Sequence, residues 1–265
     1  MGQKVEVSGT GYDLKGGRPL IGGTAYAIKK GRTLKDGTGY DISLLSGTPI
    51  SELPVGSIVK ISVDGTLRDF LIVHQGLPSS MYDDSCNGTW LLMKDAYEKR
   101  QWNSVSSNSY KTSTIHSYLN GTFLNLLDAG IKNEIKNVKL PYVNGTGGAD
   151  VASGAKGLSC KVFLLSGYEL GWSQSDDDKF PVDGDSLSYF NNIGDFDIKR
   201  VVRFNGSVCI WWLRSPININ NNAVWVIMEN GYRDYYDATS GPFGIRPAFI
   251  LPSDTLVSDD GTIVV

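Results

Sequence analysis

The first 44 residues repeat with a period of 14: GTGYDLKGGRPLIG begins at Gly9, GTAYAIKKGRTLKD at Gly23 and GTGYDISL at Gly37. Tyr12, Tyr26 and Tyr40 fall in register, as do Arg18 with Arg32 and Leu20 with Leu34. Each unit reads as a short strand around the tyrosine, a Lys/Gly turn, a second short strand and another glycine turn. Units this rich in glycine offer only Tyr, Leu and Ile for burial, too little apolar surface for a core of their own. Residues 1–48 are therefore expected to order against a partner surface. They are assigned to attachment and oligomerisation, with residues 49–265 as the main domain.

That main domain has the makings of a core. Of the 265 residues, 41% are hydrophobic and 20% charged, which excludes whole-chain disorder. The net charge of −3 speaks against nucleic acid, whose binders carry a basic face. No run reaches the roughly 18 to 20 apolar residues of a membrane span. GSIVKISV alternates, Asp64-Gly65 supplies a two-residue turn, and LRDFLIV returns as the second strand of a hairpin. Ser113 or Thr114 can cap a helix carrying Ile115, Tyr118 and Leu119, and Phe123, Leu126, Leu127, Ile131, Ile135 and Val138 follow at helical spacing up to Leu140-Pro141. KVFLL at 161–165 reads as a buried strand, and Ser166-Gly-Tyr-Glu169 as a capping box. Residues 171–199 read as a long polar loop. VCIWWLRSP, VWVIME and GIRPAFILP close the chain as strands, with Asn230-Gly231 as a turn. A hairpin first, helices in the middle and strands last predict an α+β domain.

Trp211-Trp212-Leu213-Arg214-Ser215-Pro216, followed at some distance by Gly244-Ile245-Arg246-Pro247-Ala248-Phe249, resembles the closing signature of a C-type lectin-like domain family of bacteria and their phages. That family includes the variable proteins of diversity-generating retroelements and is distantly similar to the formylglycine-generating enzyme fold. LPVGSIVKI, YKTSTIHSYLNGTF and VFLLSGYE match in order, so the resemblance spans about 50–265. It implies a C-type lectin-like fold behind the β-repeat segment, with a ligand-binding surface on the last strands. Trp211, Trp212, Arg214 and Arg246 are expected to act as structural clamps, the arginines fixing loop carbonyls or carboxylates.

The chemistry needed for catalysis is not apparent. His74 and His116 read as packed or surface residues, and no HExxH, GxSxG or P-loop occurs. Cys86, Cys160 and Cys209 stand far apart, as buried reduced thiols rather than a zinc set or the paired cysteines of formylglycine-generating relatives. The EPN, QPD and WND strings of calcium-dependent lectins are missing. Asp176, Asp178, Asp183 and Asp185 depart from the EF-hand pattern and read as a solvated acidic loop. Asn87, Asn120, Asn144 and Asn205, each followed by Gly, read as turns. No cofactor and no metal are expected.

The expected site lies between the two closing motifs. In a strand from Val224 to Glu229, alternation sends Val224, Val226 and Met228 to the core and Trp225, Ile227 and Glu229 to the other face. Large apolar and acidic side chains together suit recognition better than a plain solvent face. Tyr232, Tyr235 and Tyr236, flanked by Asp234 and Asp237, add rigid amphipathic area. Retroelement diversification acts on template adenines, so the resemblance also marks Ile217, Asn218, Ile219, Asn220, Asn221 and Asn222. The resulting expectation is a non-catalytic phage or prophage structural protein, located on the virion, that recognises a bacterial surface protein or glycan. The repeats would join other virion proteins in a homo-oligomer, a trimer favoured. The alternatives are a purely structural decoration or fibre protein and a surface-polysaccharide hydrolase working through the acidic loop.

Overall fold

Asp64 and Gly65 both hold positive φ, 51° and 69°, the pair of left-handed conformations that a tight hairpin turn requires. In the computed structural model they join β1 (Ile58–Val63) to β2 (Thr66–Gly76), which pairs in turn with β3 (Gly88–Met93). The structure describes residues 47–265 and, before them, the backbone of strands Lys4–Val7, Thr10–Asp13, Leu20–Ile21, Thr24–Ile28 and Leu44–Ser46. Tyr12, Leu20 and Tyr26 of the repeat fall on these strands. Arg18, Arg32, Leu34 and Tyr40 lie outside the described residues.

Beyond β3 come β4 (Glu98–Arg100), then α1 (Thr114–Tyr118), which runs through a π-helical turn at Leu119–Phe123 into α2 (Leu124–Leu126), and α3 (Ala129–Glu134). The closing strands are β5 (Trp211–Pro216), β6 (Ala223–Ile227), β7 (Arg233–Asp237), β8 (Phe243–Ile245) and β9 (Ala248–Leu251). One antiparallel sheet has the order β9-β3-β2-β1, and a second has β4-β8-β5-β6-β7, with β8 parallel to β5. Arg246-Pro247 is the corner at which the chain leaves the second sheet for the first. Residues 162–165 tie the sheets again. Phe163 exchanges two backbone hydrogen bonds with Ala248, at 2.9 and 2.8 Å, while Leu165 O accepts from Arg214 N of β5 at 2.9 Å.

Over the runs FLIV, WLLM, AVWVI and AFIL the strands β2, β3, β6 and β9 are buried on both faces, which explains why these stretches read as unbroken apolar runs. Ile72, Leu91, Trp212, Val224, Val226 and Phe249 share one core with the helical residues Ile115, Leu119, Phe123 and Ile131. Val73, Trp90, Leu92, Trp211, Leu213, Trp225 and Ile227 share a second core with Phe163, Leu170, Trp172, Phe180, Leu187 and Phe190. The first face is thus covered by helices and the second by irregular chain.

Several expectations are corrected. The α+β, C-type lectin-like assignment gives way to a sheet-dominated fold with few, short helices. The helical spacing read beyond Phe123 does not hold one helix, because Leu127 turns extended (ψ 144°) and Val138–Leu140 pairs with Leu158–Cys160 as a strand. KVFLL makes a single bridge to Ala248 rather than a ladder. Asn120-Gly121 lies inside the π-helical turn, not in a hairpin. There the Asn120 side-chain carbonyl accepts from Lys161 N and Val162 N at 2.9 and 3.1 Å, and its amide donates to Val162 O at 2.9 Å. An extra backbone residue in a helix is the kind of irregularity that such side-chain contacts fix. Residues 171–199, read as a long polar loop, form a cover pinned by the buried side chains Trp172, Phe180, Leu187 and Phe190. Of the acidic positions read as solvated, Asp183 is buried while Asp176, Asp178 and Asp185 are exposed.

Candidate recognition surface

The cover is held by a stack of rings. Phe180 lies 3.9 Å from Trp225 at an interplanar angle of 12°, and 6.1 Å from Trp172 at 18°. The Arg200 guanidinium closes the column 3.8 Å from the Trp172 ring, and burial pushes its pKa down to about 10. Arg200 also donates to the carbonyls of Leu170 and Gly194 at 3.0 and 2.8 Å, so one cation both packs and terminates irregular backbone.

Beneath the cover lies a buried ion network. Arg214 leaves the β5–β6 ladder at a register irregularity between Trp212 and Pro216, and its guanidinium meets Glu169 through two bonds of 2.5 and 2.6 Å. Its remaining donors go to the carbonyls of Leu164, Asp183 and Pro141 at 3.0, 2.9 and 3.3 Å. Glu169 also completes the predicted capping box: its carboxylate accepts from Ser166 N at 3.0 Å while Ser166 Oγ accepts from Glu169 N at 3.2 Å. Tyr82 donates to Glu169 at 2.9 Å, and burial raises the Tyr82 pKa well above its ordinary range. Asp183, on the cover, accepts from Ser215 Oγ at 2.8 Å; burial raises its pKa to about 7, against the opposing pull of Arg214 and Ser215. The partner clamp, Arg246, donates from Nε to Met93 O at 2.7 Å and stands 5.1 Å from the Trp211 ring. Trp211 and Trp212 are buried with indole N–H groups on the carbonyls of Arg200 and Arg100, at 2.8 and 3.0 Å.

The sequence-predicted site residues divide into three sets. Ile217, Trp225 and Ile227 are buried, so the recognition face read for Trp225 and Ile227 is corrected: alternation found a second face, and the cover occupies it. A second set builds the turn. Asn220 Oδ1 accepts from Asn222 N and Ala223 N at 3.1 and 2.9 Å, and Asn222 donates to Asp237, which also binds Ser106 and Thr239. These bonds hold the Asp237 carboxyl below its usual range, against desolvation. The turn lies on Gly147, where φ is +57° and a Cβ would come 2.5 Å from Asn220 O. Tyr236 packs on Phe243 at 5.1 Å. The third set reaches solvent: Ile219, Asn221, Glu229 and Tyr235 are exposed, Ile219 63% and Tyr235 37%, and Asn218, Tyr232 and Asp234 are half-buried.

The rim where β7 meets the cover gathers part of this third set with residues that sequence reasoning missed. Phe196 is 64% exposed and stacks on Tyr232, 4.8 Å between centroids at 17°. Ile198, beside it, is 75% exposed. Arg233 lies under both segments: it donates to Asp176 O at 2.6 Å, pairs with Asp195 at 3.5 Å and stands 4.9 Å from the Tyr232 ring. Gly231 lets the 197–201 backbone approach, since a Cβ there would meet Asp197 O at 2.6 Å. Farther along, Lys179 stands 5.4 Å from the Tyr235 ring. The available signal was Asp195-Phe196-Asp197-Ile198, two large apolar residues alternating with carboxylates in an otherwise polar stretch.

The candidate acid–base residues lie elsewhere. His74 Nδ1 is 2.9 Å from Ser188 Oγ and His116 packs 5.0 Å from Tyr110; burial lowers both pKa values. Asp176 caps Ser173 N at 2.7 Å, Asp183 is buried and Asp185 binds Ser186 N at 2.8 Å. No cluster of three or more potential His, Cys, Asp or Glu metal ligands forms among the described residues. Cys86, Cys160 and Cys209 are buried free thiols, the first two pushed up to about 12 by burial.

Residues 87–253 match the family model described as Domain of unknown function (DUF6273), a span running from β3 through β9 and including the cover. No curated protein and no solved structure matches the chain.

Proposed function

The chain belongs to that family, whose description assigns no activity, and we propose that it is a phage or prophage structural protein that recognises a bacterial surface ligand through the rim between β7 and the cover. The observation that carries this reading is the Phe196–Tyr232 stack. Two aromatic rings are held face to face at the surface, with Arg233 and the Gly231 turn fixing both segments from below. A rigid aromatic contact loses little entropy on binding, which is why such residues dominate recognition surfaces. The closing motifs WWLRSP and GIRPAF support the scaffold: Trp211, Trp212, Arg214 and Arg246 are buried, Trp211 and Arg214 donating to carbonyls of irregular chain and Trp212 and Arg246 to carbonyls at strand ends. No bond is made or broken in this reading.

The test is binding of the purified chain to intact cells of a panel of bacteria, compared with Phe196→Ala/Tyr232→Ala. Both side chains are partly or largely exposed, so the melting temperature should hardly move. Cell binding should fall at least about tenfold, the loss of a modest hot spot. Undiminished binding by the double variant would place the recognition surface elsewhere.

A further inference from the structure

Resting on that reading of the rim, we infer that its partner is a basic protein segment, one in which lysine or arginine flanks an apolar side chain, rather than a surface glycan. The rim is negative. Asp195 and Asp197 flank Phe196 in the chain, Glu229 is exposed at the start of the turn that carries Tyr232, and Asp176 is exposed where its carbonyl meets Arg233. Three neighbouring cations, Arg233, Lys199 and Arg200, offset part of this charge from beneath, Arg233 through its pair with Asp195, and leave the carboxylates as the outer members. The Arg233 side chain is only 8% exposed and is engaged by Asp195 and the Asp176 carbonyl. Lys199 donates to Tyr189 O at 2.9 Å and lies over the Tyr189 ring. Arg200 is buried under Trp172. The chain's net charge of −3 has the same sign, so attraction of a cationic partner begins before contact.

The apolar part of the rim points the same way. Ile198 is the most exposed large apolar side chain there and offers neither a flat face for a sugar ring nor a hydrogen bond. Phe196 has one ring face occupied by Tyr232. An aliphatic side chain beside a half-covered ring, fringed by carboxylates, complements an apolar anchor between cationic residues. A phosphate- or uronate-bearing polymer would instead meet charge of its own sign.

A displayed random-peptide library panned on the immobilised full chain tests this directly, with Phe196→Ala/Ile198→Ser and the isosteric Asp195→Asn/Asp197→Asn/Glu229→Gln as parallel targets. The expected pool carries a positive charge bias around an aromatic or aliphatic residue and is lost on the first variant. A peptide synthesised from that pool should bind the isosteric variant at least about tenfold more weakly and lose affinity as salt rises. A pool without positive bias, or none that depends on these side chains, overturns the basic-segment inference. Cell binding separates the two levels. If Phe196→Ala/Tyr232→Ala abolishes it while the isosteric carboxylate variant and added salt leave it intact, the rim remains the recognition site and only the basic partner is wrong. If neither variant affects cell binding, both readings fall.

Discussion

The two faces of the sheet layer are covered by different means. On one, α1 to α3 supply Ile115, Leu119, Phe123 and Ile131, and most of the covering backbone satisfies itself within helical turns. On the other, residues 162–199 form only short turns and extended stretches, and several of their carbonyls take donors from arginine side chains rather than from a helix or a ladder. The buried arginines Arg200 and Arg214 lie on that face and donate to carbonyls of Leu164, Leu170, Asp183 and Gly194. Coil can seal an apolar sheet as well as helix can, but only with buried charge to terminate its backbone. Of the two arginines, Arg214 is paired with the Glu169 carboxylate, whereas Arg200 rests on carbonyls and the Trp172 ring.

The sharpest way to break this comparison is Glu169→Ala. It would leave the Arg214 guanidinium buried without its carboxylate and remove the Tyr82 acceptor and half of the capping box. Removing one member of a buried pair costs about 3–5 kcal/mol. Denaturant unfolding should show a loss of that size, with early proteolysis within 171–199. A loss under about 1 kcal/mol, the range of an exposed ion pair, would mean the network does not hold the cover.

What could be read in the sequence follows the same division. Asp64-Gly65, Asn205-Gly206 and Asn230-Gly231 were legible because turn chemistry is local, as was the Ser166–Glu169 capping box. Alternation along β6 correctly separated Val224 and Val226 from Trp225 and Ile227. Period two, however, cannot tell a solvent face from a face under a coil cover. Trp172, Phe180 and Phe190 sit at no regular interval among aspartates, serines and asparagines, and Trp172 and Phe180 are covered through the column with Trp225 and Arg200. Phe196 and Ile198 were hidden for the same reason: Trp172, Phe180, Phe190, Phe196 and Ile198, five residues of one segment, differ in exposure through tertiary contacts. The α+β reading failed where helical spacing continued past Leu127 while the backbone did not.

A smaller effect sharpens the comparison through pH. Asp183 keeps its proton up to about 7 in the folded chain, because burial outweighs the pull of Arg214 and Ser215, against an ordinary value of 3.8 when unfolded. Between those two values the folded chain holds a proton that the unfolded chain has lost, so this group's contribution to stability falls as pH rises. The cover should therefore be tighter at pH 5 than at pH 8. The groups facing Asp183 are Arg214, Glu169 and Ser215, and Asp183→Asn, which keeps the shape without the titration, should flatten this part of the profile. Hydrogen exchange within 171–199, followed from pH 5 to 8 with intrinsic rates divided out, provides the check. Equal slopes in both proteins would show that Asp183 does not govern the cover.

The smallest effect belongs to the helical face. Ser113 caps α1: its Oγ accepts from His116 N at 3.2 Å and donates to Tyr110 O at 2.8 Å. Ser113→Ala removes the side-chain acceptor for one N–H of the first helical turn, whereas the Tyr110 carbonyl still receives Ser113 N at 3.1 Å. Loss of a serine cap costs about 1 kcal/mol. No charge is stranded, and the apolar contacts of Ile115, Leu119 and Phe123 remain to hold the helix on the sheet. Denaturant unfolding should place Ser113→Ala well above Glu169→Ala in stability, with proteolysis of 171–199 unchanged from the parent chain. If the two variants lose equal amounts, the helical cover depends on its polar anchor as heavily as the coil does. The distinction between a self-satisfied cover and a charge-terminated one would then be wrong.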